Sequence, residues 1–534
     1  MRASRTLRSA LIFLGLVLLA QTAGAQKLST SARLFVRGFR FEGNTAFPSE
    51  VLAKVTAPYT NREITSEELE DARRAVTVYY IDHGYLNSGA IIPDQTPENG
   101  VITIRIVEGV LSKIVLHGNK WLRDDYLTSR LQRWSTAPLD MNKLKEGLQI
   151  LRQNPNVKQL NAELGPGTAP GESILDLRVV DQQPFRAGLQ VDNYRPPSVG
   201  AEEISATAAD LNLSGHSDPL EVTYGIANAG ADNGWGFSGW DNIAGSYALP
   251  LNRYNTIISV RASRDNTSIV ENQFTSLNID SETDDLGVTL RQPVYQTANR
   301  EVALAVAFDW RQNNSTLYGQ PFDISPGADN GQMTVSVLGL SQEFIDRGQN
   351  HVLALRSTFN IGLDVLDATD NGVPGDPDGK FFAWLGQAQY IRRLFNTQSQ
   401  LILRVAGQWT DDKLLALEQI SVGGHDTVRG YLENQLVRDQ GFASSTELRV
   451  PMLFDKAGNP IIQLASFFDL GGAWNVAGSP SPSTLYSIGA GILLTPNKHI
   501  TGQLYWGYRL NHVYVPYNNA QDLGLSFQVN VAAF

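Results

Sequence analysis

Residues 302–310 read Val-Ala-Leu-Ala-Val-Ala-Phe-Asp-Trp. In an extended chain Val302, Leu304, Val306, Phe308 and Trp310 share one face. Ala303, Ala305, Ala307 and Asp309 share the other. Strand side chains alternate in this way, whereas a helix repeats every 3.6 residues, so the stretch predicts a β-strand with one apolar face. The pattern recurs down the chain. Leu353, Leu355, Phe359, Ile361 and Leu363 oppose Arg356, Thr358 and Asn360. Leu401, Leu403, Val405 and Trp409 oppose Arg404 and Gln408, and Ile500, Leu504, Trp506, Tyr508 and Leu510 oppose Gln503 and Arg509. Leu525, Phe527, Val529 and Val531 oppose Ser526, Gln528 and Asn530.

Alternation alone also describes a soluble sandwich, which buries the same apolar face. Three features favour a membrane barrel. Aromatics such as Trp310, Trp409 and Tyr508 close several strands, as an interfacial girdle does. The second face is small or polar, as a wet lumen requires. Some connections, such as Asp364 to Gly379 and Asp265 to Asp285, are long and polar, as outer loops are. At about 20–22 residues per strand and connection, residues 185–534 hold roughly 16 strands, a transmembrane antiparallel β-barrel. Lipid tolerates no open sheet edge, so such a sheet must close. The last residue, Phe534, lies one step out of phase with the alternation of Leu525 to Val531.

Composition agrees. The 534 residues include 43 Lys and Arg, 54 Asp and Glu, 47 Gly and no Cys, for a net charge of −11. Charged residues are only 18% of the chain and the mean hydropathy is −0.19. Few charges with many neutral polar residues and glycines suit two-faced strands. Zero Cys excludes thiolate catalysis, Cys-ligated zinc and iron–sulfur clusters. An acidic chain without a basic tract is a poor nucleic-acid binder, and no nucleic-acid partner is expected.

The amino terminus carries an export pattern. Arg2, Arg5 and Arg8 precede an apolar run within Ala10 to Ala20, and Ala23-Gly24-Ala25 forms an A-x-A cleavage site before Gln26. Residues 1–25 are therefore expected to be a cleaved signal peptide, with Ala23 and Ala25 at the cleavage site. The run is too short to span a membrane comfortably as a helix.

Between signal and barrel the pattern mixes strands and helices. Phe35, Phe39 and Phe41 suggest a strand, broken at Gly43-Asn44. Pro48-Ser49-Glu50 opens a short helix. Thr65 and Glu68 form a capping box for a second helix, with an apolar stripe of Leu69, Ala72, Val76 and Tyr79. Strands follow around Ala90 to Ile92 and Val101 to Val107. The order β-α-α-β-β then recurs. A strand over Lys113 to Leu116 breaks at Gly118-Asn119, and helices follow over Asp124 to Leu131 and Asn142 to Leu151. Strands near Leu160 to Leu164 and Ile174 to Val180 complete the second copy, an internal repeat. The expected domains are residues 34–109, 110–183 and 185–534. Small sheets of this kind can leave a strand edge open to an extended peptide, or can be spacers with covered edges.

Two further segments carry a family resemblance. Leu417-Glu418-Gln419-Ile420-Ser421-Val422-Gly423-Gly424 is followed by Thr427-Val428-Arg429-Gly430-Tyr431, and Phe467-Phe468-Asp469-Leu470-Gly471 comes later. With the signal peptide, the two small modules and the barrel, they resemble the two-partner secretion (TpsB) transporters of the haemolysin secretion/activation family. The modules resemble POTRA domains, and the resemblance covers the mature chain. His83-Gly84-Tyr85-Leu86 and Val107-Glu108-Gly109 look like the family's first module. Leu151-Arg152-Gln153-Asn154-Pro155 and Pro166-Gly167 look like its second. The resemblance implies that Val428, Arg429, Gly430 and Tyr431 tip a sixth outer loop folded into the lumen. It implies that Phe467, Asp469 and Gly471 belong to a wall strand, with Arg429 paired to Asp469. A guanidinium fork held inside a barrel suits a carboxylate in this way.

The implied function is a pore in the outer membrane, with its modules in the periplasm. It would secrete an exported TpsA-like partner, an adhesin or haemolysin, that docks on the modules. Outer-membrane lipid is the other expected partner. The rival reading is an insertase that assembles other barrels. A plain porin would leave the modules unexplained. Family members often carry an amino-terminal plug helix, and Gln26 to Arg33 is too short to hold one of normal length. No phosphate-binding loop, H-E-x-x-H or nucleophile elbow occurs, so no catalytic residue, metal or cofactor is expected. The seven His are scattered. Asp364, Asp367, Asp370, Asp376 and Asp378 crowd one loop without EF-hand spacing, and read as a solvated outer loop.

Overall fold

A computed structural model describes residues 33–228, 237–270, 277–372, 375–394, 397–513 and 519–533. The signal segment with Ala23 and Ala25, the stretch up to residue 32 where a plug helix would lie, and Phe534 fall outside these residues. The described chain forms two compact units. One holds the residues up to Lys113 with Ser135–Asn142 and Leu164–Leu175. The other holds Ile114–Trp134, Lys143–Glu163 and the chain from Asp176 on, so the division runs through the second module.

In the first module β1 (Leu34–Val36) pairs with β3 (Arg62–Ile64). β2 (Gly38–Glu42) runs parallel to β5 (Val101–Val107), and β4 (Gly89–Ile91) flanks β5 on its other side. Helices α1 (Ser49–Thr56) and α2 (Ser66–Asp82) cover this sheet. The core joins Phe41, Leu52, Val76, Tyr80, Ala90, Ile104 and Ile106. The capping box is present: Glu68 N donates to the Thr65 hydroxyl (3.2 Å), and Thr65 N donates to the Glu68 carboxylate (2.9 Å).

Two details differ from the sequence pattern. The single strand expected through Phe35, Phe39 and Phe41 is two strands, broken at Arg37, whose N–H donates to the Gly100 carbonyl (2.7 Å). The break resets the alternation, so Val36 is fully buried and Phe35 is 54% exposed. On α2 the deepest aromatic is Tyr80 rather than Tyr79. Steps of three and four both keep a helical residue on one face, and Tyr80 also gains a polar partner in Glu108.

The second module repeats the order with β6 (Val110–His117), α3 (Asp124–Gln132), α4 (Met141–Arg152), β7 (Val157–Pro166) and β8 (Glu172–Asp181). Its sheet is ordered β6-β8-β7. The internal repeat extends to its wiring. Gly43 and Gly118 both take positive φ, +80° and +90°. A Cβ on either would sit 2.6 Å from the Ile106 carbonyl or 2.7 Å from that of Val179. Two residues after each carbonyl stands a carboxylate. Glu108 accepts from Thr45 N (2.7 Å), Ala46 N (2.8 Å) and the Tyr80 hydroxyl (2.9 Å). Asp181 accepts from the backbone N–H groups of Lys120, Trp121 and Leu122 at 2.6–2.9 Å. Each carboxylate therefore satisfies the N–H groups of a tight turn that no sheet partner reaches. Burial and Glu108 push the Tyr80 phenol well above its ordinary pKa, so it stays a donor. Alanine at Glu108 should cost the first module about 2 kcal/mol, the scale of hydrogen bonds to a charged group. Hydrogen exchange of the full chain checks this. Thr45, Ala46 and the α2 amides should lose protection while the Lys120–Leu122 turn keeps it.

From Phe185 the chain is a barrel. Sixteen long antiparallel strands among the described residues run from Phe185–Asp192 to Leu525–Ala532, with the two-residue strand Gln320–Pro321 beside them. The first and last strands close the sheet, with Asp192 opposite Gln528 and Gly188 opposite Ala532. Closure satisfies every strand edge internally. No described helix is long and apolar enough to cross a membrane. Leu304 and Val306 lie nearly half exposed on the outer face, whereas Ala303 and Ala305 are buried. Both the barrel class and the alternation thus agree with the sequence.

The connection expected from Asp265 to Asp285 is mostly strand among its described residues. Ile257–Ser268 and Ile279–Gln296 pair up to Ser268 and Asp280, with Asp265 opposite Thr283. A strand that continues beyond the apolar band is wet on both faces, so its polar residues imitate a loop. The stretch from Asp364 to Gly379 does lie outside the strands among its described residues. Its acidic cluster is tied by a cation of its own: the Lys380 ammonium lies 3.0 Å from Asp364 and 2.9 Å from Asp370.

Candidate functional site

The site is built on the connection between strands Gln400–Thr410 and Gln440–Phe454. At its base Asp439 accepts from Leu414 N (3.0 Å), the Gln419 side chain (3.0 Å) and Val476 N (2.9 Å). Leu414 and Leu415 pack with Met333, Val335, Val337 and Phe381 in an apolar cluster. Farther along, Ile420–Val422 pairs with Leu436–Arg438 as a short hairpin. Glu418 meets Arg311 of the wall at 3.0 Å. His425 stacks on Tyr194 with ring centres 3.6 Å apart, and its Nδ1 lies 2.9 Å from Glu433. These contacts hold the loop against several wall strands.

At the tip the structure places Arg429 on Asp469. Arg429 Nε donates to Asp469 Oδ2 (2.8 Å) and Nη2 to Oδ1 (2.9 Å), a two-pronged bond. Arg429 N also donates to Oδ2 (3.1 Å). Nη1 donates to Glu447 and Nη2 to Ser445 Oγ (3.0 Å). Four of the five guanidinium N–H donors are thereby engaged. The ring of Phe467 lies 3.6 Å from the guanidinium carbon, within cation–π range. Glu447 is shared with Arg449 and with the Tyr505 hydroxyl (3.0 Å). Arg429, Glu447 and Asp469 are each at most 5% exposed. Two arginines and two carboxylates leave this cluster neutral, which is how charge survives such burial.

The neighbouring motif residues let the tip come this close. Val428 is fully buried with Val422, Tyr431, Leu436, Ala473 and Leu485. A Cβ on Gly471 would sit 2.6 Å from Val422 and 2.9 Å from Val428. Gly430 has φ +94°, and its Cβ would meet the Gly507 carbonyl at 2.6 Å. The Tyr431 hydroxyl donates to the Tyr486 carbonyl (3.0 Å). Arg509 donates to the Gly430 carbonyl and to the carbonyls of Asp522 (2.9 Å) and Gln521 (2.8 Å). Sequence reasoning missed Glu447, Ser445, Asp439 and Gly507. Glu447 and Ser445 fall on the inward face of an alternating strand, a pattern that marks lumenal position but not a partner. No group of three or more His, Cys, Asp or Glu among the described residues is arranged to hold a metal.

The closed barrel, the small repeated modules and the in-folded loop define an outer-membrane β-barrel of the POTRA-bearing class. The chain belongs to the haemolysin secretion/activation family typified by ShlB, FhaC and HecB, which matches residues 171–494. A ShlB-type POTRA domain matches residues 34–109. The outer membrane transporter CdiB of Dickeya dadantii is 24% identical over 420 residues, covering 77% of this chain and 72% of its own. The heme/hemopexin transporter protein HuxB of Haemophilus influenzae is 23% identical over 469 residues, covering 85% and 79%. The solved structure of CdiB from Escherichia coli superposes with a TM-score of 0.72 at 21% identity, covering 98% of both chains. The protein is thus an outer-membrane transporter of two-partner secretion, with its POTRA modules in the periplasm.

Proposed function

We propose that the chain captures an unfolded exported partner on the modules at residues 34–109 and 110–183, then passes it through the barrel. Its own export uses a signal cut after Ala25. The partner belongs to the large adhesins and haemolysins and docks by adding a strand to a module sheet. The observation that carries this is β7, a ten-residue edge strand with Lys158, Gln159, Asn161, Ala162 and Glu163 exposed. An edge strand offers unpaired N–H and C=O groups to an extended chain of any sequence. In the lumen Arg429, with Asp469, Glu447 and Phe467, keeps the Val428–Tyr431 tip seated while partner segments pass. Folding of the partner outside supplies the drive, without nucleotide hydrolysis.

Deletion of the gene, followed by mass spectrometry of the medium and cell surface, tests this. One or a few large exported proteins should vanish while other outer-membrane barrels keep their levels. An unchanged set of exported proteins would sink the reading. A general fall of outer-membrane barrels would favour the insertase instead.

A further inference from the structure

A cavity of about 290 Å³ lies within the second unit, between α3 and α4 and the barrel turns at residues 251–256 and 297–299. Arg130 and Arg133 project into it from α3 and the residue following it. Arg130 rests on the Tyr126 ring at 3.6 Å and donates to Asn255 Oδ1 (3.1 Å). Arg133 lies over Trp134 (5.0 Å) and Tyr254 (5.3 Å) and donates to Gln296 Oε1 (3.2 Å). Neither has a carboxylate partner among the described residues, whereas the wall arginines Arg261, Arg291 and Arg311 each have two. Nearby carboxylates are engaged elsewhere: Glu301 holds Arg291 at 2.6 Å, and Glu146 accepts from Ala298 N (3.4 Å). Burial lowers the pKa of both Arg130 and Arg133 from the usual arginine value, as expected of cations desolvated without an anion.

The cavity opens on the lumenal side. Ile257 and Arg291 line it, in phase with the inward Thr289 and opposite the lipid-facing Leu290. Lipid headgroups meet the other face, whereas a chain bound for the pore passes this one. We propose that this cavity binds the side-chain carboxylates of an acidic segment of the exported polypeptide. The forks of Arg130 and Arg133 grip the carboxylates in pairs of N–H···O bonds, and Tyr126, Trp134 and Tyr254 keep the forks flat. The site holds the chain at the mouth of the pore between docking and threading.

This inference rests on the transporter reading, so the experiment separates the two. Full-length protein in lipid nanodiscs is titrated with fluorescent hexaglutamate at low salt, with hexalysine as control. The double variant Arg130→Gln/Arg133→Gln should weaken hexaglutamate binding about tenfold or more, the scale of one lost charge-assisted contact. Hexalysine should not bind the wild type there. Equal hexaglutamate affinity in wild type and variant overturns the proposal. So does displacement of the peptide by inorganic phosphate at matched ionic strength, which would mark a phosphate site. In cells, the variant should reach the membrane at wild-type level and export the partner several-fold more slowly. Full-rate export by the variant, with export abolished by gene deletion, removes the cavity from the pathway and leaves the transporter standing. If deletion itself spares export, the transporter reading fails.

Discussion

Arg429→Ala should unseat the loop tip and lower export of the partner severely. The cost comes less from lost bonds than from what stays behind. Asp469 is fully buried, and among the described residues Glu447 would keep Arg449 and Tyr505. Breaking a buried pair in this way costs about 3–5 kcal/mol. Thermal unfolding of the purified barrel should show the loss as a lower midpoint. Arg429→Lys should recover only part of it, because an ammonium cannot engage two carboxylate oxygens and a ring face together. Removing Asp469 along with Arg429 should recover part as well, since no orphaned aspartate remains. An unchanged midpoint and unchanged export in Arg429→Ala would show that the tip is not held by this residue.

Gly507→Val should have the second largest effect, and by a different route. The Gly507 Cβ position lies 2.6 Å from the Arg429 carbonyl and 2.7 Å from Gly430 Cα, so loop backbone and wall backbone already touch. A side chain there forces the tip off the wall, at a cost of about 1–3 kcal/mol for an overpacked site. Single-channel conductance in planar bilayers should rise as the loop vacates its seat. On the same strand, Gly502→Ala is the control. Its added carbon meets nothing closer than 3.8 Å, and conductance should stay at the wild-type value. Conductance unchanged in Gly507→Val would mean that the tip is seated by other contacts.

The barrel was legible because lipid outside and water inside impose one period on every strand. Val302 to Trp310 reports both solvents at once, and closure follows from the lipid side. The module order was legible from turn and cap chemistry: Gly43-Asn44, Gly118-Asn119 and the Thr65 box each mark a chain reversal or a helix start. What was not legible depends on pairing across the fold. The stretch from Asp265 to Asp285 reads as a loop because its described strand residues are polar on both faces, Ile279 apart. Val36 is buried because of a break at Arg37, created by the distant Gly100. The motif residues suggested Arg429 and Asp469, but Glu447 and Ser445 look like any other inward polar residue. Only the fold brings them within reach of one guanidinium.

The neutral cluster around Arg429 has an electrical consequence. Its charges balance only while the tip is seated. A departing tip carries one positive charge with it and leaves the wall, with Arg449 against Glu447 and Asp469, one negative charge in excess. Undocking therefore moves charge, and a potential across the membrane acts on it. A full crossing of one charge is worth about 2.3 kcal/mol per 100 mV. That is less than the about 3–5 kcal/mol that breaking the buried pair costs. A modest potential thus tilts the balance between seated and free tip without tipping it, and the open probability in bilayer recordings should depend on the sign of the voltage.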